Sequence, residues 1–112
     1  MKSETAVAAL AALAQATRLA LYRLLVQRGP AGLAASDIAA KLKVPVSTLS
    51  FHLKELARAG LIAARQDGRF IYYSANFMEM NALVGYLTDN CCDGQSCASG
   101  LVQVHPLKRK AR

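Results

Sequence analysis

The stretch from Val44 to Ile62, VPVSTLSFHLKELARAGLI, constrains the fold more than any other part of the chain. Val46, Leu49, Leu53 and Leu56 recur at helical spacing, which predicts a helix of roughly four turns with one apolar side that has to be buried. The side opposite carries Ser47, Ser50, Phe51, Lys54 and Arg58, and small hydroxyls and cations are the groups that touch phosphates and base edges. Pro45 suits the first turn of such a helix, where its missing N–H is not needed, and Gly60 ends it. Ser47, Thr48 and Ser50 then lead with the helix N-terminus, whose free N–H groups and positive dipole end favour phosphate. This is the layout of a helix that enters a nucleic-acid groove. An ordinary amphipathic helix with a solvated outer face has the same pattern, so the rest of the chain has to decide between them.

The distribution of charge favours the first reading. The chain has 112 residues, 14 Lys and Arg against 7 Asp and Glu, and a formal charge of +7. Between Pro30 and Ala75, Lys41, Lys43, Lys54, Arg58, Arg65 and Arg69 outnumber Asp37, Glu55 and Asp67, and Lys108, Arg109, Lys110 and Arg112 make the end of the chain basic. The remainder is balanced, so the middle is where a polyanionic partner is expected. At 54% hydrophobic residues, rich in Ala and Leu, the chain is read as one mostly helical domain. Met1 to Gln15 holds Glu4 and no cleavage-like pattern, and no apolar run approaches the roughly 20 residues that span a bilayer. A soluble, cytoplasmic protein is expected. Three segments follow: a folded unit over 1–90, a cysteine-bearing segment over 91–100, and a mobile basic tail over 101–112.

Thr5 to Leu13 reads as a first helix and Thr17 to Gln27 as a second, with Thr17 as N-cap and Leu21, Leu24 and Leu25 as its apolar stripe. Gly29, Pro30 and Gly32 end it. Ser36 or Asp37 can cap a third helix through Leu42, and a break at Lys43 to Pro45 joins it to the helix described first, which makes a helix-turn-helix. After Gly60 the pattern changes to period two. Leu61 to Arg65 and Arg69 to Tyr73 flank Gln66-Asp67-Gly68, and Asp-Gly between β-rich runs is a strong hairpin signal. Arg65 and Arg69 beside the tip of this wing suit phosphates or a narrow minor groove; a surface hairpin with solubilising arginines is the plainer alternative.

Asn76 begins a last helix to about Asn90, with Asn76 and Glu79 as an approximate capping box. Its apolar positions Phe77, Met80, Leu83, Val84, Tyr86 and Leu87 cover more than one narrow stripe. In so small a domain this helix and the Ala/Leu-rich first one are expected to bury surface against a second copy of the chain. A homodimer also places two reading helices about 34–36 Å apart, one turn of a palindrome. The expected architecture is therefore mainly α with a small β-hairpin, a dimeric winged helix-turn-helix in the order α-α-α-α-β-β-α.

This order and several local motifs resemble the ArsR/SmtB family of winged-helix, metal-responsive repressors. The likeness rests on Ala16-Thr17-Arg18-Leu19 with Leu24-Leu25, on Ser50-Phe51-His52-Leu53-Lys54-Glu55-Leu56 followed by Ala59-Gly60-Leu61-Ile62, and on Arg65-Gln66-Asp67-Gly68-Arg69 with Tyr72-Tyr73. Members of that family are dimers that hold operator DNA when free of inducer and let go when a metal or metalloid binds. From the exposed face of the helix and the arginines of the wing, DNA contact is expected from Ser47, Thr48, Ser50 and Lys54, with Arg58, Arg65 and Arg69 on the backbone. Phe51 is a candidate for a thymine methyl or for packing. His52, at the edge of the buried face, reads first as a structural residue that also reaches a phosphate; Tyr72 and Tyr73 read as wing core.

The family senses through several unrelated sites. A Cys-x-Cys pair on the first helix of the helix-turn-helix is absent, because Ser36 to Leu42 contains no cysteine; a zinc-type site on the last helix is not expected, because Phe77 to Asn90 contains no histidine. Cys91-Cys92-Asp93-Gly94-Gln95-Ser96-Cys97 instead resembles the C-terminal cysteine cluster of an arsenite-responsive branch. The resemblance implies As(III), or Sb(III), as inducer, held by Cys91, Cys92 and Cys97. Three thiolates match the three pyramidal positions of such a soft centre, whereas a closed zinc site asks for a fourth ligand. The same thiols suit a redox- or sulfide-responsive repressor, or one for Cd or Pb. A thiol enzyme or a metalloid scavenger is the reading from other classes; the sequence has no paired carboxylates in a motif, no Gly-rich phosphate loop and no convincing Cys/His dyad.

Overall fold

The computed structural model describes residues 1–90, so Cys91, Cys92, Cys97 and the basic end of the chain lie outside the described residues. Helix α1 (Ser3–Leu13) turns Ala6, Ala9 and Ala12 inward, one small residue per turn. It meets α2 (Ala16–Arg28) at 100°. The cap of α2 is Gln15, not Thr17: its Oε1 accepts the Arg18 backbone N–H at 2.8 Å, which leaves Thr17 already inside the first turn. No single helix among the described residues is long and apolar enough to cross a membrane, and α1 with α2, which pass that test only as a pair, are broken at this corner.

A strand absent from the sequence reading follows. β1 (Leu33–Ala34) pairs antiparallel with β3 (Phe70–Ala75), Leu33 opposite Tyr73 and Ala34 opposite Tyr72, and β3 also pairs with β2 (Ile62–Asp67). The wing is thus the outer part of a three-stranded sheet in the order β1-β3-β2. Gly32, at φ +76, permits that approach, because a Cβ there would sit 2.6 Å from the Tyr73 carbonyl oxygen. Helix α3 (Ala35–Leu42) starts directly from β1, with Ala34 at the cap position, so neither Ser36 nor Asp37 caps it. Asp37 lies instead in the first turn, where a negative charge suits the dipole. Lys43 then takes a left-handed conformation, and Val44 N–H donates to the Ala39 carbonyl to close the turn into α4 (Val46–Arg58).

Helix α4 buries Leu49, His52, Leu53 and Leu56. Val46, expected on the buried side, is 53% exposed; residues 45–48 are all exposed, so the first turn of α4 stands clear of the body. At the other end the helix closes with a paired motif: Leu61 N–H donates to the Leu56 carbonyl and Gly60 N–H to that of Ala57. Gly60 has the positive φ, +80, that this closure requires. Leu56 and Leu61 are both fully buried against it.

The hairpin turn is displaced by one residue from the expected place. Asp67 pairs with Phe70, so the two loop residues are Gly68 and Arg69, with Gly68 at φ +64, a glycine-first hairpin turn instead of an Asp-Gly one. Helix α5 (Phe77–Leu87) is capped by Asn76, whose Oδ1 accepts the Glu79 N–H at 3.2 Å. The return half of the capping box is not made, since the Asn76 N–H donates to the Leu61 carbonyl. The helix stops at Leu87, short of Asn90. Leu21, Leu25, Ile38, Leu49, Leu56 and Leu61 are the largest fully buried side chains. Burying each is worth roughly 1.5–3 kcal/mol, so they seat α4 far more firmly than the exposed Arg58–Glu55 ion pair at 2.9 Å, a class of contact worth about 0.2–1 kcal/mol.

Candidate nucleic-acid interface

Ser47, Thr48, Ser50, Phe51, Lys54 and Arg58 are all exposed on α4, as their spacing predicts. Pro45 is the cap residue and offers no side-chain hydrogen bond, while its carbonyl accepts from Leu49 N–H. The N–H groups of Val46, Ser47 and Thr48 therefore point outward from an exposed turn, the arrangement that receives a phosphate oxygen. Phe51, 56% exposed, stands among these polar groups.

From this face a concave strip runs to the wing. A groove of about 510 Å³ is lined by Ser50, Leu53, Lys54 and Ala57 from α4 and by Ala64 and Tyr73 from the sheet. Arg69 occupies the exposed turn at the wing tip. Arg65 sits further back: its Nη2 donates to the Ala31 carbonyl at 2.9 Å, and its guanidinium carbon lies 5.1 Å from the centre of the Tyr72 ring, its cross-strand neighbour. Arg65 thus ties the wing to the loop before β1 while remaining exposed. Tyr72 and Tyr73 are half-buried in the sheet.

Two of the expected contacts are placed differently from the rest. Arg58 donates to Glu55 at 2.9 Å and lies by a notch of about 260 Å³ whose other walls include Ala8, Ala11 and Ala12 of α1. Its charge is directed to the α1 end of α4. His52 is buried, at 8% exposure, and its Nδ1 lies 3.3 Å from Arg18 Nη1. A guanidinium only donates, so Nδ1 accepts and the imidazole proton is on Nε2. The Phe51 ring meets the His52 ring edge-on, 5.5 Å between centres at 64°. Arg18 also donates through Nε to the Ala12 carbonyl. The sequence reading missed Arg18 as part of this assembly. The signal was its place in Ala16-Thr17-Arg18-Leu19, but its partner lies 34 residues away.

Apolar side chains are left uncovered on α1 and α5. Val7 and Leu10 on α1, and Met78, Tyr86 and Leu87 on α5, are exposed large hydrophobics, Met78 at 84%, and α1 and α5 pack against one another. Among the described residues no three His, Cys, Asp or Glu side chains are grouped to hold a metal ion. The remaining buried polar group is the Tyr22 hydroxyl, which has no partner among the described residues, and burial pushes that phenol above its ordinary value.

Comparison with known proteins bears on these features. A family model described as a helix-turn-helix domain matches residues 13–65. The nodulation protein NolR of Rhizobium meliloti is 31% identical over 109 residues, which is 97% of this chain and 84% of that protein. The arsenical resistance operon repressor of Bacillus subtilis is 37% identical over 81 residues, 72% of this chain and 73% of that protein. A homodimeric winged helix-turn-helix DNA-binding domain from Mycobacterium bovis, described as a possible ArsR-family transcriptional regulator, has a TM-score of 0.62 at 27% identity, covering 86% of this chain and 89% of that one.

Proposed function

Given that the chain belongs to the ArsR family of winged helix-turn-helix transcriptional regulators, we propose that it is a repressor that binds a palindromic operator as a homodimer and is released by trivalent arsenic or antimony. The observation that carries the DNA half of this reading is the exposed hydroxyl-and-lysine face of α4, continuous through one groove with the wing. Ser47, Thr48, Ser50 and Lys54 read and hold the major groove. Arg69 at the wing tip reaches the adjacent backbone, and Arg65 holds the wing at its angle and offers its remaining N–H groups. The dimer forms through α1 and α5, whose exposed Val7, Leu10, Met78 and Leu87 would otherwise face water. The homodimeric state of the M. bovis domain of the same fold supports a homodimer.

The inducer half rests on the chemistry of the donor set. Cys91, Cys92 and Cys97 are three thiols in seven residues, a set that suits a soft trivalent centre. When bound, As(III) or Sb(III) supplies covalent bonds to sulfur. The cysteines give up their protons, and since a free thiol titrates near 8.5, affinity falls as pH drops. Cys91 follows soon after Thr88, which ends α5 with its hydroxyl donating to the Val84 carbonyl. A change of shape in the cysteine segment therefore acts on the end of a dimer-forming helix. For strong derepression the inducer must favour the non-binding arrangement by about 10²- to 10⁴-fold.

The test is fluorescence anisotropy of the protein on operator DNA during titration with arsenite, for the natural chain and each Cys→Ser variant. Release by arsenite that any of Cys91→Ser, Cys92→Ser or Cys97→Ser abolishes is the expected result. Binding that persists at saturating arsenite eliminates the inducer half, and release by an oxidant alone turns the same thiols into a redox switch.

A further inference from the structure

We propose that Arg18 and His52 form a positioning clasp that sets the angle of α4 against α1, and so the half-site spacing at which two copies of the chain read DNA. The inference rests on the reading of α4 as the DNA-entering helix of a homodimer.

One planar side chain makes both contacts. Arg18 Nε donates to the Ala12 carbonyl at 2.6 Å and Nη1 to His52 Nδ1 at 3.3 Å, while the Arg18 backbone N–H is fixed by Gln15. Ala12 lies in the last turn of α1, whose carbonyls lack intrahelical partners and carry the negative end of the dipole. His52 is the one polar side chain that α4 buries. Everything else that α4 buries is leucine. Apolar burial is strong but non-directional, so Leu49, Leu53 and Leu56 seat the helix without fixing its rotation. A hydrogen bond constrains distance and angle together. The clasp therefore supplies the direction that the core lacks.

Its two ends face the two surfaces that must be kept in register. The outer side of α1 exposes Val7 and Leu10, the side assigned to the partner copy. The neighbour of His52 on α4 is Phe51, in ring contact with it and exposed on the reading face. A shift of the imidazole is therefore passed to a side chain on the exposed face of α4. Lysine cannot replace Arg18, because a single ammonium lacks the rigid fork that spans two acceptors.

The test uses the full chain and a duplex enriched by the natural protein from a randomised pool, together with duplexes carrying one base pair more or fewer between the half-sites. The variants are Arg18→Lys; His52→Leu, which removes the acceptor but keeps apolar bulk; and His52→Asn, whose Oδ1 stands near the place of Nδ1. Sedimentation and thermal unfolding confirm that each is folded and dimeric. Arg18→Lys and His52→Leu are expected to lower the preference for the original spacing over the altered ones about tenfold, His52→Asn to retain most of it, and the Arg18→Lys/His52→Leu double variant to lose little more than either single one. Spacing preference unchanged in a folded, dimeric His52→Leu protein overturns the clasp, even if its melting temperature falls. So does equal loss in His52→Asn and His52→Leu. If the natural protein enriches no duplex at all, the DNA reading itself fails, and the clasp with it.

Discussion

Replacing Gly32 by alanine tests the strand that the sequence did not announce. A Cβ at this position would meet the Tyr73 carbonyl oxygen at 2.6 Å and its carbon at 3.1 Å, both backbone atoms that cannot swing aside. The positive φ of +76 adds about 1–2 kcal/mol for a residue with a side chain. Relief of the clash separates β1 from β3 and forfeits the pairing of Leu33 with Tyr73 and Ala34 with Tyr72, at about 0.5–1.5 kcal/mol for each hydrogen bond lost. With the two bonds of that short pairing the sum is about 2–5 kcal/mol, a large part of the roughly 5–15 kcal/mol that holds a domain together. Chemical and thermal denaturation read it directly, with a fall in melting temperature of about 8 °C or more. Gly60→Ala is the control, since Gly60 shares the positive φ, +80, but its Cβ would make only ordinary contact with Glu79 at 3.7 Å. A Gly32→Ala cost no greater than that of Gly60→Ala would mean that the Tyr73 backbone does not crowd this position. Loosening β1 also frees the wing, so operator affinity should fall with stability in the first variant.

Tyr22→Phe removes a buried hydroxyl that has no partner among the described residues, and denaturant midpoints should show a neutral to slightly stabilising change, up to about 1 kcal/mol. Burial raises the Tyr22 phenol above 10.0; the folded chain keeps the proton where the unfolded chain releases it. The corresponding stability is present below pH 10.0 and is lost as pH rises through the folded value, and alkaline denaturation of the Phe variant should lack this component. Lys54→Ala should weaken binding across DNA sequences and, with one lysine lost from each copy of the dimer, make the dependence of log K on log salt shallower by about 2; an unchanged slope in salt titrations removes Lys54 from the phosphate contacts. Leu10→Glu on the outer side of α1 should shift sedimentation velocity toward the monomer, whereas an unaltered dimer places the interface elsewhere.

Much of this architecture was legible because it is local. The spacing of Leu49, Leu53 and Leu56 with Gly60 after them predicted α4, its exposed face and its end, and the closure at Gly60 follows the expected chemistry. What escaped depends on partners distant in the chain. Leu33–Ala34 is too short to carry a periodic signal and is a strand only because Tyr72 and Tyr73 lie beside it. His52 is structural, as its place at the edge of the buried face predicts, but its partner Arg18 lies 34 residues away and carries no local signal. Val46 has the right residue type and spacing for burial, but no other element reaches the first turn of its helix. The turn at Gly68-Arg69 was misplaced by one residue because Asp67-Gly68 and Gly68-Arg69 are both acceptable pairs, and the register of Ile62 with Ala75 at the far end of the strands selects the second. The cysteine segment, read from a family resemblance and from donor chemistry, lies outside the described residues.

Asn76 has a mechanical consequence. Its Nδ2 donates to the Gly60 carbonyl, its backbone N–H to that of Leu61, and its Oδ1 receives the Glu79 N–H. A single residue thereby bolts the tail of α4, the root of the wing and the head of α5 to one point. Helix α5, about 16 Å long at 1.5 Å per residue, behaves as an arm with its pivot there. Its free end swings about 3 Å for a 10° tilt, and the torque is delivered to the DNA-facing parts at their common joint.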